Sequence, residues 1–316
     1  MCDPGAVLRN WDLRAAVRTK PRRIAASSNE WSGDPFPREF APVLTHPLVS
    51  QAPEELIRQI LLQHLFSYLT FTDRLEHEVV NQTARRLATG ASGCDLEAGL
   101  RLDCYRVYCD EAYHSLFCAD LMQQIRAYEN FQFDRGGDHP GLRYFHQQLS
   151  ACAPEDRPWF ELFFVIVSET LISGVLSRLP QDQQVIPVVR LVVADHAEDE
   201  AGHHRLFSRV CEVVWRQVPL RVRPKLAAAL PGFIANFLAP DFPALRVSLS
   251  SLYGRRTAED ILCESYPEAQ ARRNAALASR STIRLFERVG ILENEAARES
   301  FETRGLLIGR AADSRA

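Results

Sequence analysis

Two segments of the chain repeat the pattern Asp-Glu-x-x-His, with Glu111 and His114 in the first and Glu200 and His203 in the second. Three residues of an α-helix turn the chain by about 300° and advance it by about 4.5 Å, so the glutamate and the histidine share one face. A carboxylate oxygen and an imidazole nitrogen placed in this way can bind one metal ion together. Each segment therefore predicts part of a metal site.

Two isolated glutamates lie in strongly apolar surroundings. Glu76 follows Leu69, Phe71 and Leu75, and Glu169 lies inside the sequence FFVIVSETLISGVL. An ionised carboxylate without a partner is costly in a protein core, and divalent cations would remove that cost. A di-metal site in a four-helix bundle takes one glutamate from each of two helices and a Glu-x-x-His motif from each of the other two. The sequence supplies all of these residues.

The spacing of the four glutamates fits such a bundle. Glu76 and Glu111 are 35 residues apart, and Glu169 and Glu200 are 31 apart. Each interval accommodates a helix, a short turn and a second helix that returns to the same height. The interval of 58 residues between Glu111 and Glu169 leaves room for one crossover connection. The predicted fold is an all-α, ferritin-like four-helix bundle with additional flanking helices.

Further polar residues adjoin the two motifs. His196 lies four residues before Glu200 on the same helical face, and the spacing leaves open whether it is a ligand or a neighbour of the ligands. His204 is rotated by about 100° from the preceding histidine, and we expect it to point elsewhere. Asp110 and Asp199 either accept the free N–H of a ligating histidine or are ordinary solvated acids. Carboxylate and imidazole donors without a thiolate favour iron or manganese over structural zinc.

Apolar residues recur at helical spacing in four long segments. These segments are residues 54–88, 95–131, 156–178 and 186–216. Prolines divide the following chain into shorter helices, and a last amphipathic helix is predicted at about 267–289. The only strand-like alternation is short, near 245–252, so the whole chain is assigned to the all-α class.

Composition shifts divide the chain into three parts. Residues 1–50 are predicted to form an irregular N-terminal arm, basic at its start and rich in Pro, Ser and Gly after residue 24. An arginine-rich start is also typical of transit peptides, but we expect this arm to lie on the fold. The ferritin-like domain is predicted over 51–290, and residues 291–316 form a C-terminal tail that looks weakly ordered after Asn294.

The composition excludes several classes of protein. The chain has 316 residues, is 46% hydrophobic and 24% charged, and can bury a large core without the support of disulfide bonds or structural metals. A net charge of -3 gives no field that attracts nucleic acid or an anionic membrane, and no apolar run reaches the ~18 residues of a membrane span. Eight cysteines without a CxxC pair indicate reduced thiols and a cytoplasmic location.

Four short stretches carry a resemblance to a known group. They are CDEAYH at 109–114, SET at 168–170, HAEDEAGH at 196–203, and Tyr68 eight residues before Glu76. Over about residues 50–290 the chain resembles the ferritin-like di-iron amine oxygenases, typified by p-aminobenzoate N-oxygenase and the arylamine oxygenase of chloramphenicol biosynthesis. The resemblance implies two iron ions (Fe2+/Fe3+), with manganese as a less favoured substitute, and O2 as co-substrate. It implies seven protein ligands: Glu76, Glu111, His114, Glu169, His196, Glu200 and His203.

The resemblance also implies an activity in specialised metabolism such as antibiotic biosynthesis. The reaction would be the O2-dependent oxidation of a primary amine to hydroxylamine and onward to a nitroso or nitro product. Members that take aminobenzoate need a basic group near the first helix, whereas Phe71 and Thr72 here are neutral. An uncharged arylamine or an amino acid tethered to a carrier protein therefore fits better. Because GxGxxG is absent, an external electron donor is expected, and a homodimer is plausible from the family.

Two other functions remain open. One is C–H hydroxylation or desaturation of an acyl or aminoacyl group at the same di-iron site. The other is non-enzymatic iron binding. A substrate pocket is predicted from residues about one turn from the ligands, each of which is also compatible with plain core packing. These residues are Tyr68, Leu69, Thr72, Tyr108, Ser115, Val165, Ile166, Ser173 and Phe207.

Overall fold

A computed structural model of the protein describes residues 6–25, 27–171 and 174–307. Every regular element within these ranges is a helix, and their β-type pairing is limited to one isolated bridge between Asp34 and Val185. The predicted all-α class is therefore confirmed. The cysteines in these ranges are free thiols.

The described part of the N-terminal arm is a series of short helical turns. They are α1 (Trp11–Arg14), α2 (Ala16–Thr19), 3-10 turns at Ser28–Trp31, Arg38–Phe40 and Pro42–Thr45, and α3 (Pro47–Ser50). Val43 and Val49 are fully buried and pack in one cluster with Ile60 of the first long helix. The arm therefore contributes to the core as well as to the surface.

The first long helix contains one irregular turn. It consists of α4 (Glu54–Leu75), a π-helical turn (Glu76–Val80) and α5 (Asn81–Thr89). Glu54 and Glu55 in the first turn complement the positive end of the helix dipole. The helix ends where Gly90 adopts a left-handed conformation at φ 77°, which glycine tolerates without strain. The predicted helix over 54–88 is thus confirmed, with a π turn that the sequence did not indicate.

Two helices follow before the second half of the bundle. They are α6 (Ala98–Glu129) and α7 (Pro140–Ala151). Helix α6 matches the second predicted segment, whereas α7 was not predicted. It begins with Pro140 at a position where the missing N–H costs nothing, and the His139 ring accepts a hydrogen bond from the Gly141 N–H. Helix α7 lies within the crossover connection between the two halves of the bundle.

The third predicted helix is shorter than expected. The elements here are α8 (Arg157–Thr170), α9 (Gly174–Arg178) and α10 (Pro187–Val214). After Thr170 the backbone of Leu171 becomes extended, with ψ 106°. The hydroxyls of Ser281 and Thr282 donate to the Thr170 carbonyl at 3.3 and 2.9 Å, which satisfies an acceptor that the helix leaves free. Glu169 consequently lies in the last turn of α8.

The C-terminal third consists of shorter helices. They are α11 (Arg223–Phe237), α12 (Phe242–Tyr253), α13 (Arg255–Ser265), α14 (Glu268–Ala278), α15 (Arg280–Arg288) and α16 (Glu295–Thr303). The helix predicted at 267–289 is divided at Ser279. The segment with strand-like alternation is helix α12, where Leu245 and Leu249 are buried one turn apart.

The prediction of weak order after Asn294 is wrong for α16. The Asn294 side chain accepts a hydrogen bond from the Ala297 N–H and so caps the helix. Phe301 is fully buried and packs edge-on against Phe286. Helix α16 contacts α11, so this part of the tail belongs to the core. Residues 308–316 lie outside the described part.

Four helices form the bundle around the predicted metal ligands. The first helix (α4 to α5) packs on α6, α8 packs on α10, and α10 also packs on α6.

By length and composition alone, the segment Arg157–Gln181 is apolar enough to cross a membrane. Because 69% of its most apolar stretch is buried inside the protein, as in the core helix of a soluble protein, this is weak evidence for a span.

Candidate metal centre

The seven predicted ligands come from all four bundle helices. Glu76 is the first residue of the π turn, and such turns occur frequently at functional sites. Glu111 and His114 lie midway along α6, Glu169 lies in the last turn of α8, and the remaining three lie on α10. All are buried except Glu200, whose side chain is 18% exposed.

The structure brings these side chains together in two groups that share one residue. Within each group the candidate ligand atoms lie within 4.8 Å of one another. The first group is Glu76, His114, His196 and Glu200, and the second is Glu111, Glu169, Glu200 and His203. Two positions for a metal ion follow, side by side in the centre of the bundle.

Glu111 and Glu200 lie between the two positions. Glu111 Oε2 is 3.0 Å from His114 Nδ1, and its Oε1 is 3.1 Å from His203 Nδ1. Glu200 Oε1 is 3.1 Å from His203 Nδ1 and 3.6 Å from His114 Nδ1. A carboxylate that faces a histidine of each group is placed to bridge two ions, whereas Glu76 and Glu169 each face one group.

His196 makes the two groups unequal. Its Nε2 atom is 3.1 Å from Glu76 Oε1 and 3.2 Å from Glu200 Oε1. Its ring lies 4.4 Å from the ring of His114, centroid to centroid. The first group therefore contains two imidazoles, and the second contains one.

Each aspartate of the repeated motifs accepts a hydrogen bond from the histidine of the other helix. Asp199 of α10 accepts a hydrogen bond from Nε2 of His114 on α6, and Asp110 of α6 accepts one from Nε2 of His203 on α10, both at 3.1 Å. Each imidazole is thereby turned so that Nδ1 faces the cluster. This is the arrangement that fixes the ring and tautomer of a metal-binding histidine.

The charges of the cluster are out of balance without cations. Burial and the nearby charges of Glu200 and Glu111 raise the pKa of Glu169 well above its usual value. Burial raises the pKa of Glu76 to about 7, although the field of His196 opposes this shift. Burial disfavours the charged form of His196, but the charge of Glu76 together with the hydrogen bonds to Glu200 and Glu76 outweighs it and raises the His196 pKa to about 9. Both kinds of group thus hold protons in the place of a missing positive charge.

Two buried carboxylate oxygens test whether metal ions fit here. Glu76 Oε2 and Glu169 Oε2 have no hydrogen-bond donor among the described residues. Each lies 3.7 Å from the Nδ1 atom of a histidine in its neighbourhood, which is too far for a hydrogen bond. Two divalent cations would supply four positive charges against the four carboxylates and would coordinate these oxygens. The donor set fits a di-metal centre.

The predicted pocket residues are found in different surroundings. Leu69, Val165, Ile166 and Phe207 are almost or fully buried in the hydrophobic core. Tyr68 and Thr72 lie about two turns and one turn before Glu76, respectively, on the same helix. Burial raises the pKa of Tyr68 well above its usual value, with further contributions from Cys118, Glu76 and Glu200, so this phenol lies close to the cluster.

Two further predicted pocket residues, Tyr108 and Ser115, are found away from the cluster. Tyr108 is 38% exposed, and assigning it to a buried pocket was wrong, because it points about 100° away from the fully buried Val107. The Ser115 hydroxyl instead donates to the carbonyl of Asp73 at 3.3 Å and joins α6 to α4. Ser173 lies outside the described residues. A surface cavity of about 400 Å³, lined by Trp215 and Arg223 among others, contains none of the cluster residues.

Sequence reasoning missed contacts from the N-terminal arm. The Trp11 indole and the Ala16 backbone N–H reach Asp110 and Asp199. One available signal was the basic character of the arm, because Lys20, Arg22 and Arg23 pair with acids on the outer faces of α6 and α10. No signal in the sequence identifies Trp11 itself.

This fold and this cluster define a class, the ferritin-like proteins that hold a pair of metal ions with carboxylates and histidines between four helices. Residues 19–290 match the family of p-aminobenzoate N-oxygenase AurF. The match covers most of the chain, and the protein therefore belongs to this family of di-iron N-oxygenases. No curated protein shows a significant match to the chain.

Proposed function

We propose that the protein is an O2-dependent di-iron monooxygenase that oxidises the nitrogen of a primary amine. The observation that supports it most strongly is the pair of ligand groups joined through Glu200, with His196 as the additional imidazole. Iron is preferred over manganese in this proposal because the family is a family of di-iron enzymes. When bound, the two irons would supply the reduction of O2 and the transfer of oxygen to the amine.

The residues around the centre have separate tasks in this proposal. Glu76, His114 and His196 would hold one iron, and Glu169 and His203 would hold the other. Glu111 and Glu200 would be shared between the irons. The surrounding apolar core excludes water, which strengthens every electrostatic contact with the ions.

The side chains around Phe71 support a substrate that carries no carboxylate near this residue. The Phe71 ring stacks on the His139 ring with centroids 3.8 Å apart. Burial lowers the pKa of His139 to about 3, so this imidazole is neutral at physiological pH. Arg74, one turn further on, is paired with Glu78 and Asp138 at 2.8 and 2.7 Å. An uncharged arylamine or a carrier-tethered amino acid is therefore the proposed substrate.

Anaerobic loading with ferrous iron followed by exposure to O2 tests the proposal. A panel of amines would include a neutral arylamine, p-aminobenzoate and an aminoacyl carrier protein, with a chemical reductant as electron source. We expect two irons per chain and products that carry oxygen on nitrogen, with the neutral arylamine or the carrier-bound amine preferred. Oxygen on carbon, or the loss of two hydrogens, would instead indicate a hydroxylase or desaturase. Many irons per chain without organic turnover would indicate an iron-binding protein.

Several features remain predictions from the sequence. They are the external electron donor, the homodimer, the cytoplasmic location and the role in specialised metabolism. Size-exclusion chromatography with light scattering would measure the oligomeric state.

A further inference from the structure

The described start of the N-terminal arm crosses the outer faces of α6 and α10 directly behind the metal centre. The Trp11 indole N–H donates to both carboxylate oxygens of Asp110, at 2.9 and 2.8 Å. The Ala16 backbone N–H donates to both oxygens of Asp199, at 3.1 and 3.2 Å. The arm thus supplies one donor to each of the two aspartates that orient the histidines.

These contacts extend two hydrogen-bonded chains to the candidate ligands. One runs from Trp11 through Asp110 to His203, and the other from Ala16 through Asp199 to His114. Asp110 and Asp199 are only 1% and 8% exposed, so their oxygens depend on protein donors. A buried carboxylate that loses a donor is held less firmly, and its movement reaches the imidazole that it orients.

Other contacts fix the arm on both sides of these two donors. The Leu8 N–H donates to Asp103 at 3.1 Å, two turns before Asp110 on α6. Arg23 forms a bidentate pair with Asp195, one turn before Asp199 on α10, at 2.7 and 2.9 Å. The family match begins at residue 19, so Trp11 and Ala16 both lie outside it. The donors therefore belong to this chain's own arm rather than to the matched region.

We propose that the N-terminal arm is a positioning element of the metal centre, in which Trp11 and Ala16 hold the two Asp–His pairs and so set the affinity for metal. The proposal rests on the proposed function only in taking His114 and His203 as ligands. It makes Trp11 a positioning residue that acts through Asp110, and it predicts that loss of the Trp11 donor loosens metal binding without unfolding the bundle.

The variant Trp11→Phe tests this proposal because it keeps an aromatic ring and removes the N–H donor. Anaerobic competition with a chromogenic chelator would measure the ferrous dissociation constants, and thermal unfolding of the metal-free protein would measure its stability. We expect at least one dissociation constant to rise about 3- to 10-fold, less than the 10- to 100-fold typical of a direct partner of a ligand. The melting temperature of the metal-free protein should stay within about 2 °C of the parent.

The matched control is Arg22→Gln. It removes another contact of the arm, the pair with Asp120 on α6, and leaves both Asp–His pairs untouched. Its iron affinity should equal that of the parent. An equal loss of affinity in Arg22→Gln, or no loss in Trp11→Phe, would overturn the proposal and leave the arm as a simple cover.

A double-mutant cycle separates positioning from general packing. If Trp11 acts through Asp110, Trp11→Phe should have little further effect on iron affinity in an Asp110→Asn background. Additive effects of the two substitutions would contradict the proposal. Measurements on the parent protein separate the proposed function from the role of the arm. Failure of the parent to bind iron would refute the proposed function. Normal binding in both the parent and Trp11→Phe would refute only the role of the arm.

Discussion

The Glu169 side chain lowers the stability of the metal-free protein, although it is suited to bind a metal ion. It is buried in the last turn of α8, near Glu111 and Glu200, and its Oε2 atom has no donor in the described part of the chain. The C-terminal end of a helix adds a further unfavourable field for a negative charge. Such a carboxylate is stable in place when a cation binds it or when it holds a proton.

The substitution Glu169→Gln should therefore separate stability from metal affinity. We expect the metal-free protein to melt at the same temperature or higher, because the neutral amide can be buried beside Glu111 and Glu200 without taking up a proton. The iron dissociation constant should rise at least about 10-fold. Calorimetry and chelator competition measure the two effects. Glu161→Gln, on the same helix but in a surface pair with Arg86, is the control and should leave iron affinity unchanged. A large loss of metal-free stability in Glu169→Gln would contradict this account.

His64 gives the fold a sensitivity to acid outside the metal centre. It stacks on Phe36 with ring centroids 5.8 Å apart, and burial lowers its pKa to about 4. Because this value lies below the unfolded value of about 6.5, the neutral ring stabilises the fold at neutral pH. That stabilisation is lost as the pH falls from about 6.5 towards 4.

The variant His64→Leu should flatten this dependence on pH. Urea unfolding of the metal-free protein between pH 7 and 4 measures the free energy of unfolding, and the variant should lose less of it than the parent does. His146→Gln changes an exposed histidine and should keep the parent's slope. Equal slopes in His64→Leu and the parent would show that His64 does not titrate in this range.

At the scale of elements, the long helices were predictable and their interruptions were not. Apolar periodicity identified the helical stretches at 54–89, Ala98–Glu129 and Pro187–Val214 to within a few residues. The π turn at Glu76 packs against α6 and α8, and the end of α8 at Thr170 receives a hydrogen bond from the hydroxyl of Thr282. No local pattern records such partners.

Helix α16 illustrates the same limit at the C-terminus. The segment after Asn294 is mostly polar, so its sequence suggests weak order, yet Phe301 is fully buried against the rest of the protein. Phe301→Ala should lower the free energy of unfolding by about 3–5 kcal/mol, as is typical for a buried phenylalanine. Urea unfolding measures this loss, and the exposed Glu302→Ala should stay within about 0.5 kcal/mol of the parent. A Phe301→Ala value as small as that of Glu302→Ala would mean that α16 is not part of the cooperative fold.

At the scale of the whole molecule, the fold brings together seven side chains from four separated stretches. The sequence predicted this convergence because each glutamate interval matches the length of a helical hairpin, as between Glu169 and Glu200. The sequence did not predict that Asp110 and Asp199 would each hydrogen-bond the histidine of the other helix, since this pairing depends on how α6 and α10 are packed. It did not predict the arm contacts for the same reason.

The most direct test of the central claim is an anomalous-scattering map of iron-loaded crystals at the iron absorption edge. The account predicts two peaks per chain, one within bonding distance of Glu76, His114 and His196 and the other within bonding distance of Glu169 and His203. Glu111 and Glu200 should each contact both. A single peak, peaks away from this cluster, or His196 turned away from the nearer iron would contradict it.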